Sequence, residues 1–537
     1  MKQKSIFFYG VVVLFINFFN LQTQAQEQLS SRARAEKLFE EFQYAKAAGI
    51  YLELTDVSMP RLNDMERLAD CYQKMNRYED AEIWYSRVVT NPQSRPEDLL
   101  NLGKMLKSNT RYLEAKKVLQ DYVKISRDQS VMVGIAGCDS AIVWMQNPTN
   151  HLLKNEKGIN TELSEFSVFP MSEKRVYFIG EPQMGHYGQK YGWTGNNYLR
   201  IFSAECLSGN RLGSRILLND AFNKAAYHVG PISANKAGNI RFITRTNTGR
   251  KGNLSIVNRN SYRTKNMELY IQTQTNGWWD LPKPFAYNDV QKYSIGHAVL
   301  SHDEKVLYYV SNRPGGHGGT DIWYSELQAD GSWGKPCNAG NVINTSGDEM
   351  FPVIGPDGFL YYSSNGLPGM GGLDIFCSKG NLDQWQKPVN MRYPVNSPSD
   401  DFSYILNQNR IDGYLSSNRI NGKGGDDIYF FESRKPRSMF RIEGIVYDKK
   451  TGLRLSNANV TLYDSDNTIL AKQMSKSDGT FMFLVNKMDI CRLKGTKEIY
   501  YPDTLTIDSR NYLSGLARVV LRLDPLFEKG KIFKLEN

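Results

Sequence analysis

The sequence lacks the short motifs by which most enzymes are recognised. It contains no HExxH pair for zinc, no GxSxG turn for a nucleophilic serine, no GxxxxGK[ST] phosphate loop and no GxGxxG dinucleotide loop. Each of these motifs holds reactive groups or backbone amides in a fixed geometry, so its absence argues against the corresponding class of enzyme. We therefore predict that the protein is not an enzyme and has no catalytic residues.

Histidine and cysteine are scarce, with six of each in the chain. His297 and His302 are five residues apart, but a predicted strand and its turn separate them, and no other histidines have the spacing of metal ligands. No CxxC pair occurs among the cysteines, so their pairing cannot be read from the sequence. We expect no metal site, no cofactor and mostly free, buried thiols.

Long apolar runs are absent after residue 25. Before it, Lys2 and Lys4 precede an apolar stretch at residues 6–19, and a small-residue site ends at Ala25. This pattern is typical of a secretory signal peptide, and it is too short for a stable membrane span. We expect an exported, periplasmic chain that starts at Gln26, carries no lipid and has no transmembrane segment.

The positive charge is unevenly distributed along the chain. Residues 26–148 contain 17 Lys/Arg and 18 Asp/Glu, whereas residues 434–537 contain 19 Lys/Arg and 12 Asp/Glu, an excess of seven positive charges. A basic C-terminal module favours an anionic neighbour, although a solvated basic surface explains the same composition. We expect no nucleic-acid partner.

A glycine-rich phrase returns every 53 residues in the middle of the chain. Its three copies centre on Gly319 and Asp321, on Gly372 and Asp374, and on Gly425 and Asp427. Weaker copies of the strand that follows lie at residues 268–271 and 198–202. A fixed period filled with short apolar strands and glycine turns is typical of a β-propeller. We predict five blades over residues 152–433, with residues 152–157 completing the last sheet.

The three repeated aspartates allow two interpretations. Each follows a glycine-rich loop, and carboxylate oxygens are suitable calcium ligands. They belong to different blades, however, so they could share an ion only by lining the channel. We favour a structural role, in which each carboxylate accepts hydrogen bonds from the amides of its own loop.

A second repeat, of 34 residues, occupies residues 31–148. It aligns two sets of residues, namely Tyr44, Tyr78 and Tyr112, and Ala47, Ala81 and Ala115. This period, with small residues where helices meet, is typical of a tetratricopeptide array. We interpret the repeated residues as core packing, and a concave face that binds a peptide or a helix is the functional alternative.

Residues 438–525 show three alternating strand patterns separated by turns. They resemble carboxypeptidase regulatory-like domains, which are small transthyretin-like β-sandwiches. The predicted fold class is thus multidomain, with an N-terminal α-helical tetratricopeptide array, a central five-bladed β-propeller and a C-terminal transthyretin-like β-sandwich. The expected division is a signal peptide (1–25), the repeats (31–148), the propeller (152–433), the sandwich (438–525) and a tail (526–537).

The phrase at residues 311–325, SNRPGGHGGTDIWYS, resembles the WD-like repeats of TolB-type propellers and of Bacteroidetes outer-membrane proteins. The order of the modules is similar to that of PorE-like proteins of the OmpA family, which serve type IX secretion. This resemblance implies a periplasmic protein associated with the outer membrane. In that family an OmpA-like peptidoglycan-binding domain follows, and none is seen here, so we expect no strong binding to peptidoglycan.

Three classes of function remain. We favour a non-catalytic scaffold or adaptor that binds outer-membrane or periplasmic proteins of an envelope or secretion complex. The alternative is a protein that binds glycan or peptidoglycan fragments on the propeller face through Trp193, Trp278, Trp279 and Trp333. The third class, an enzyme whose propeller gates a catalytic domain, needs an additional α/β domain for which no stretch remains.

Overall fold

The computed structural model describes residues 29–183, 190–207, 211–249, 252–257, 260–433, 439–486, 490–508, 511–512 and 516–526. The expected signal peptide and residues 527–537 of the tail lie outside these ranges. The chain divides into two compact units, Met1–Glu432 and Ser433–Asn537. It consists mostly of β-sheet, and its described α-helices all precede the first strand. The expected boundary near residue 148 is therefore an interface inside the first unit, and whether residues 31–148 fold alone stays a prediction.

Seven α-helices are found in the described residues. They are α1 (Ser31–Glu40), α2 (Tyr44–Thr55), α3 (Leu62–Lys74), α4 (Tyr78–Val88), α5 (Pro96–Ser108), α6 (Tyr112–Ser126) and α7 (Met132–Gln146). Consecutive helices pack against each other around one apolar core. Two residues after the ends of helices α1, α3 and α5 lies a residue with positive φ, namely Phe42, Asn76 and Thr110, and these are 34 residues apart. This left-handed residue ends one helix and lets the next begin two residues later.

The first strand of the chain, β1 (His151–Asn155), is followed by two antiparallel sheets. The first sheet consists of β2 (Glu165–Ser172), β3 (Arg175–Gly180), β4 (Arg200–Leu207), β5 (Arg211–Leu212) and β6 (Ile216–Leu217). The second consists of β7 (Val229–Ala234), β8 (Ile240–Thr246), β11 (Met267–Thr275), β12 (Trp278–Trp279) and β13 (Lys283–Pro284), with a hairpin of β9 (Asn253–Val257) and β10 (Asn260–Thr264) inserted.

Three more sheets repeat the same antiparallel order. The third consists of β14 (Ile295–Leu300), β15 (Val306–Ser311), β16 (Asp321–Glu326) and β17 (Cys337–Asn338). The fourth consists of β18 (Glu349–Ile354), β19 (Phe359–Ser364), β20 (Asp374–Asn381), β21 (Gln384–Trp385) and β22 (Val389–Asn390). The fifth consists of β23 (Asp401–Leu406), β24 (Asp412–Ser417) and β25 (Asp427–Ser433), and β1 pairs with β25 as its outer strand.

The five sheets form a closed, β-propeller-like ring. The innermost strands β2, β7, β14, β18 and β23 contact one another in this order, and β23 contacts β2. Because β1 precedes the first sheet in the chain and pairs with the last, the start and the end of the ring segment share one sheet, as the sequence predicts. Aromatic rings meet between the innermost strands, with centroids 4.2 Å apart for His297 and Phe351 and 4.7 Å apart for Phe351 and Phe402.

A side-chain amide, buried in four sheets and partly buried in the second, binds the third strand of every sheet. In each case an asparagine of the link that leads to the next sheet accepts a hydrogen bond from a backbone N–H of the third strand, and it donates one to the carbonyl of the same residue. The five pairs are Asn223 with Ile201, Asn288 with Leu269, Asn344 with Ile322, Asn396 with Ile375, and Asn160 with Ile428. We call this arrangement the asparagine clamp.

The second unit consists of two four-stranded sheets that share one apolar core. Its strands are β26 (Met439–Asp448), β27 (Asn459–Tyr463), β28 (Ile469–Met474), β29 (Thr480–Asn486), β30 (Ile490–Thr496), β31 (Tyr500–Tyr501), β32 (Asp503–Asp508) and β33 (Leu516–Pro525). One sheet has the order β29-β26-β33-β31 and the other the order β28-β27-β30-β32. Strands β26 and β33 are parallel, and core residues such as Ile442, Leu462, Leu493 and Leu521 come from both sheets.

The asparagine clamp leads to a stability prediction for the first unit. Asn396→Ala leaves the N–H of buried Ile375 without a partner and removes one of the two donors to its C=O, which keeps the N–H of Met391, so we expect the free energy of unfolding to fall by about 1–3 kcal/mol. The control is Asn381→Ala, at the exposed end of the same strand, with a change below about 0.5 kcal/mol. All eight tryptophans lie in the first unit, so urea denaturation followed by tryptophan fluorescence reports on it alone. Equal effects of the two substitutions would contradict the clamp.

Candidate functional site

The helices lie against the face of the ring that carries the turns between the second and third strands. The Tyr78 hydroxyl donates to the Asp400 carboxylate at 2.6 Å, and the ammonium of Lys107 donates to the carbonyl of Gly371 at 2.8 Å. Burial and the neighbouring carboxylate raise the pKa of Tyr78 well above its usual value, so the hydroxyl stays a donor. These contacts join the helical layer to the fourth and fifth sheets.

Two apolar side chains of the ring extend this interface. Met370, in the turn before β20, is fully buried in the apolar core of the helices. Trp193, between β3 and β4, packs its ring against Tyr44 at a centroid distance of 4.8 Å and donates its indole N–H to the carbonyl of Lys74 at 2.6 Å. The helical core is therefore completed by side chains of the ring.

The repeated aspartates lie one per sheet, buried at the start of the third strand. Each accepts two backbone amides of its own loop: His317 and Gly318 for Asp321, Met370 and Gly371 for Asp374, and Lys423 and Gly424 for Asp427. Burial raises the pKa of Asp374 to about 7, although the positive charge of Lys107 acts in the opposite direction. Across the described parts of the chain, no three His, Cys, Asp or Glu side chains come together as metal ligands.

The repeated glycines allow each turn to approach the link of the neighbouring sheet. A Cβ atom at Gly319 or Gly425 would lie 2.5 Å from Asp348 Oδ1 or 2.6 Å from Ser164 Oγ, and one at Gly372 would collide with the carboxylate of Asp400. The next backbone amide of each turn is held by the same oxygen: Thr320 by Asp348, Leu373 by Asp400, and Asp426 by Ser164. At the junction between the fifth and first sheets, which closes the ring, the link thus contributes a serine, Ser164, and the glycine turn contributes an acid, Asp426.

The repeated residues of the helices are located in the helical core. Ala47, Ala81 and Ala115 are fully buried, and Tyr44 and Tyr112 are nearly so. Tyr78 differs, because its hydroxyl reaches the ring as described above. These six residues therefore pack the helices, and Tyr78 also binds the two layers together.

A cavity of about 760 Å³ lies between the helices and the ring. We call it the interlayer cavity. The helices contribute the end of α3 and one side of α2, and the ring contributes the first and fifth sheets. Its lining includes Tyr72, Lys74, Arg77, Ser164, Glu181, Tyr191, Trp193, Asn196, Asn418 and Asp426. Neither Glu181 nor Asp426 stands out in the sequence. Glu181 belongs to no repeat, and Asp426 occupies the repeat position that is Thr320 and Leu373 in the other two copies.

Two acidic side chains of the interlayer cavity have unusual environments. Glu181 is only 5% exposed, and its Oε2 has no hydrogen-bond partner among the described residues. Burial, followed by the charge of Asp426, raises the pKa of Glu181 to about 7. Burial and the charge of Asp400 likewise raise the pKa of half-buried Asp426 to about 7. The cavity therefore holds two carboxyl groups that are poised to take up or release protons near neutral pH.

The four tryptophans of the glycan-binding alternative are not brought together. Trp193 anchors the helices, Arg241 lies over the ring of Trp279 at 4.1 Å, and partly buried Trp333 packs near Phe242 at the edge of an apolar core. Only Trp278 of the four is largely exposed, at 81%. The six cysteines are free thiols, and three of them, Cys71, Cys138 and Cys491, are buried.

Comparison with known proteins gives only distant structural neighbours. No family model matches the chain, and no curated protein matches it. The GH43 protein BlXynB of Bacillus licheniformis is 10% identical with a TM-score of 0.31, over 66% of this chain and 90% of the neighbour. Prolyl oligopeptidase B of Galerina marginata is 13% identical with a TM-score of 0.26, over 65% of this chain and 40% of the neighbour. A puromycin-hydrolysing peptidase of Mycobacterium tuberculosis is 10% identical with a TM-score of 0.25, over 70% and 55%.

These neighbours correct one expectation. The absence of catalytic motifs predicts that the protein is not an enzyme, and that exclusion is wrong, because the solved structures similar to this chain include glycoside hydrolases and peptidases. At this identity and TM-score the likeness assigns no reaction and no catalytic residue. Separately, no helix in the described part of the chain is both long and apolar enough to span a membrane.

The close approach of the two layers can be tested with a pair of glycines in α7. A Cβ atom at Gly137 would lie 2.5 Å from the carbonyl oxygen of Gly369 in the ring, whereas one at Gly134 would make an ordinary 3.6 Å contact with Leu119. We expect Gly137→Ala to lower the free energy of unfolding by about 1–3 kcal/mol. Gly134→Ala should raise it by up to about 1 kcal/mol, because alanine favours the helix. Urea denaturation followed by tryptophan fluorescence gives both values, and a stabilising Gly137→Ala would disprove the contact.

The raised pKa of Glu181 makes stability depend on pH. A carboxyl group that binds its proton more tightly when folded stabilises the fold fully below about pH 4, and this contribution is lost as the pH rises to about 7. We expect Glu181→Gln to have little effect at pH 4.5 and to raise the free energy of unfolding at pH 8 by about 1–3 kcal/mol. Exposed Glu162 provides the control Glu162→Gln. A gain that is the same at both pH values would contradict the prediction.

Proposed function

We propose that the protein is a scaffold of the bacterial cell envelope, in which repeat modules hold protein partners at fixed separations. The observation that supports this most is the buried interface between the helices and the ring. The helices and the ring each offer a surface large enough to bind a protein. They are joined into one unit by Met370, which lies inside the helical core, and by the hydrogen bonds of Tyr78, Lys107 and Trp193. Because repeat modules are stiff, a partner bound to one surface is oriented relative to the other.

In this proposal the helical layer is a tetratricopeptide array. Features that support it recur at 34 residues. The Tyr51 hydroxyl donates to Glu36 at 2.6 Å, and the Tyr85 hydroxyl donates to Asp70 at 2.6 Å. The third copy replaces this pair by Leu119 and Lys104, which departs from the pattern. We likewise propose that the ring is a five-bladed propeller. The asparagine clamp occurs five times, which is consistent with one blade per repeat.

The second unit is proposed to be a transthyretin-like docking module. On the sheet that contains β26, the carboxylate of Glu443 pairs with Arg441 at 2.6 Å and with Arg518 at 3.7 Å. Exposed Met482 lies opposite Glu443 on the neighbouring strand, and Leu484 lies opposite Arg441. A face that combines apolar and basic side chains favours a partner with both apolar and acidic groups, and its charged contacts weaken with salt.

The compartment in the proposal derives from the resemblance at residues 311–325. In the structure this phrase forms the end of β15, the glycine turn and the start of β16. On that resemblance we propose export to the periplasm, association with the outer membrane and participation in type IX secretion or a related envelope complex.

The proposal is tested by retention of envelope proteins on the immobilised mature protein, residues 26–537. We expect a defined set of outer-membrane or periplasmic proteins from a Bacteroidetes extract to be retained by the unsubstituted protein and by Gly134→Ala. Gly137→Ala, which forces the two layers apart, should lose the partners that contact both layers. Raising the salt from about 50 to 500 mM should release partners held by the basic second unit.

Circular dichroism and the urea midpoint establish that Gly137→Ala is still folded under the conditions of the assay. Retention of no envelope protein would contradict the scaffold. Equal retention by the two alanine variants would contradict the requirement for joined layers.

A further inference from the structure

The interlayer cavity contains two carboxyl groups, those of Glu181 and Asp426, that no described cation pairs with. Glu181 is buried, lines the cavity and leaves Oε2 without a hydrogen-bond partner among the described residues. A buried carboxylate oxygen without a donor costs folding free energy, so native structures supply a partner or a ligand at such positions. The unpartnered oxygen therefore indicates a group that the cavity receives from outside.

None of the cations near this carboxylate forms an ion pair with it among the described contacts. The Arg215 guanidinium donates to the backbone carbonyl of Glu181, but its charge is paired with buried Glu165. Arg77 pairs with Asp80 at 2.8 Å and lies over the ring of Tyr72 at 4.5 Å. The side chain of Lys74 is exposed, and no ion pair joins it to either acid of the cavity among the described contacts. A positive charge is thus the missing complement of Glu181 and Asp426.

The walls of the cavity suit an organic cation better than a metal ion. Tyr191 and Trp193, whose rings stack on each other at a centroid distance of 6.4 Å, both line the cavity, and aromatic rings attract cations. The side-chain amides of Asn196 and Asn418 also line it. A volume of about 760 Å³ lies in the range of small-ligand sites, and exposed residues at the end of α3 open it to solvent.

We propose that the interlayer cavity binds an organic cation with a primary ammonium or guanidinium group, which pairs with Glu181 and Asp426 beside the aromatic side chains of Tyr191 and Trp193. The cation donates to the free oxygen of Glu181 and offsets the repulsion between the acids. It is either a small diffusible amine or the lysine or arginine side chain of a protein segment. This inference rests on the cavity alone and holds whether or not the scaffold proposal is correct.

Ionisation of the two acids links binding to pH. Charged groups that act on them from neighbouring elements are Glu165 of β2, Arg215 before β6, Asp400 before β23, Asp427 of β25, and Lys74 and Arg77 at the end of α3. Because a cation competes with the protons on Glu181 and Asp426, its affinity should rise from pH 5.5 to pH 8.

The test is isothermal titration of the mature protein at constant ionic strength. The probes are putrescine, the blocked tripeptide acetyl-Gly-Lys-Gly-amide and, as a neutral comparison, N-acetylglucosamine. We expect at least one cation to bind, with an affinity about tenfold lower in Glu181→Gln and in Asp426→Asn, and unchanged in Asp383→Asn, a control at an exposed acid of the fourth sheet. Binding of putrescine alone identifies a small amine, and preference for the tripeptide identifies a protein segment.

Three results would overturn the inference. They are no binding of either cation at millimolar concentration, equal binding of the neutral sugar, and unchanged affinity in both acid-to-amide variants. Loss of binding in Glu181→Gln cannot be attributed to unfolding, because this variant is expected to be at least as stable as the unsubstituted protein at pH 8. A loss of affinity in that folded variant therefore reports on the cavity itself.

Discussion

The asparagine clamp is the interaction on which the ring of sheets depends. In four of the five sheets the outermost strands are only two residues long, so the ladder leaves buried backbone groups of the third strand without strand partners. The clamp supplies an acceptor for the backbone N–H of one residue, such as Ile322, and a second donor for its C=O, which also accepts the N–H of Ala339. Because the asparagine belongs to the link that enters the next sheet, the same two bonds also determine where that sheet starts. The hydrogen bonds that satisfy the backbone of one sheet therefore also fix the position of the next sheet in the ring.

The helical layer depends on this ring in turn. The turn before β20 is held by Asp374, whose carboxylate binds the amides of Met370 and Gly371. Only with this turn fixed can Met370 enter the helical core and the carbonyl of Gly371 accept Lys107. The absence of a side chain at Gly137 then lets α7 approach the backbone of the same turn. A structural aspartate of the repeat thus also positions an interface that the repeat pattern does not encode.

This difference explains what the sequence could predict. The glycine turns and aspartates of the last three sheets were predictable because each contact spans three or four residues, as for Asp321 and His317. The first two sheets follow the period weakly, since they contain the Trp193 segment and the β9–β10 hairpin. Contacts between the layers join residues far apart, such as Tyr78 with Asp400, and have no period. The interlayer cavity was missed for this reason, because Glu181 lies outside every repeat and acquires its role only when the ring closes against the helices.

The closing junction of the ring shows how a repeat can create a site. At the other two junctions with glycine turns, an acid in the link, Asp348 or Asp400, holds the turn amide, and the residue of the turn is neutral. At the closing junction Ser164 holds the amide with a hydroxyl, and the acid is Asp426 of the turn itself. The turn needs only one acceptor for its amide, and the hydroxyl of Ser164 provides it. The carboxylate of Asp426 is therefore not used by the turn and faces the cavity, at the cost of desolvation. Raised pKa values that the fold itself does not require are characteristic of functional sites. Here the raised values belong to Asp426 and Glu181, and Asp426 lies at the one glycine-turn junction where the acid is in the turn and not in the link.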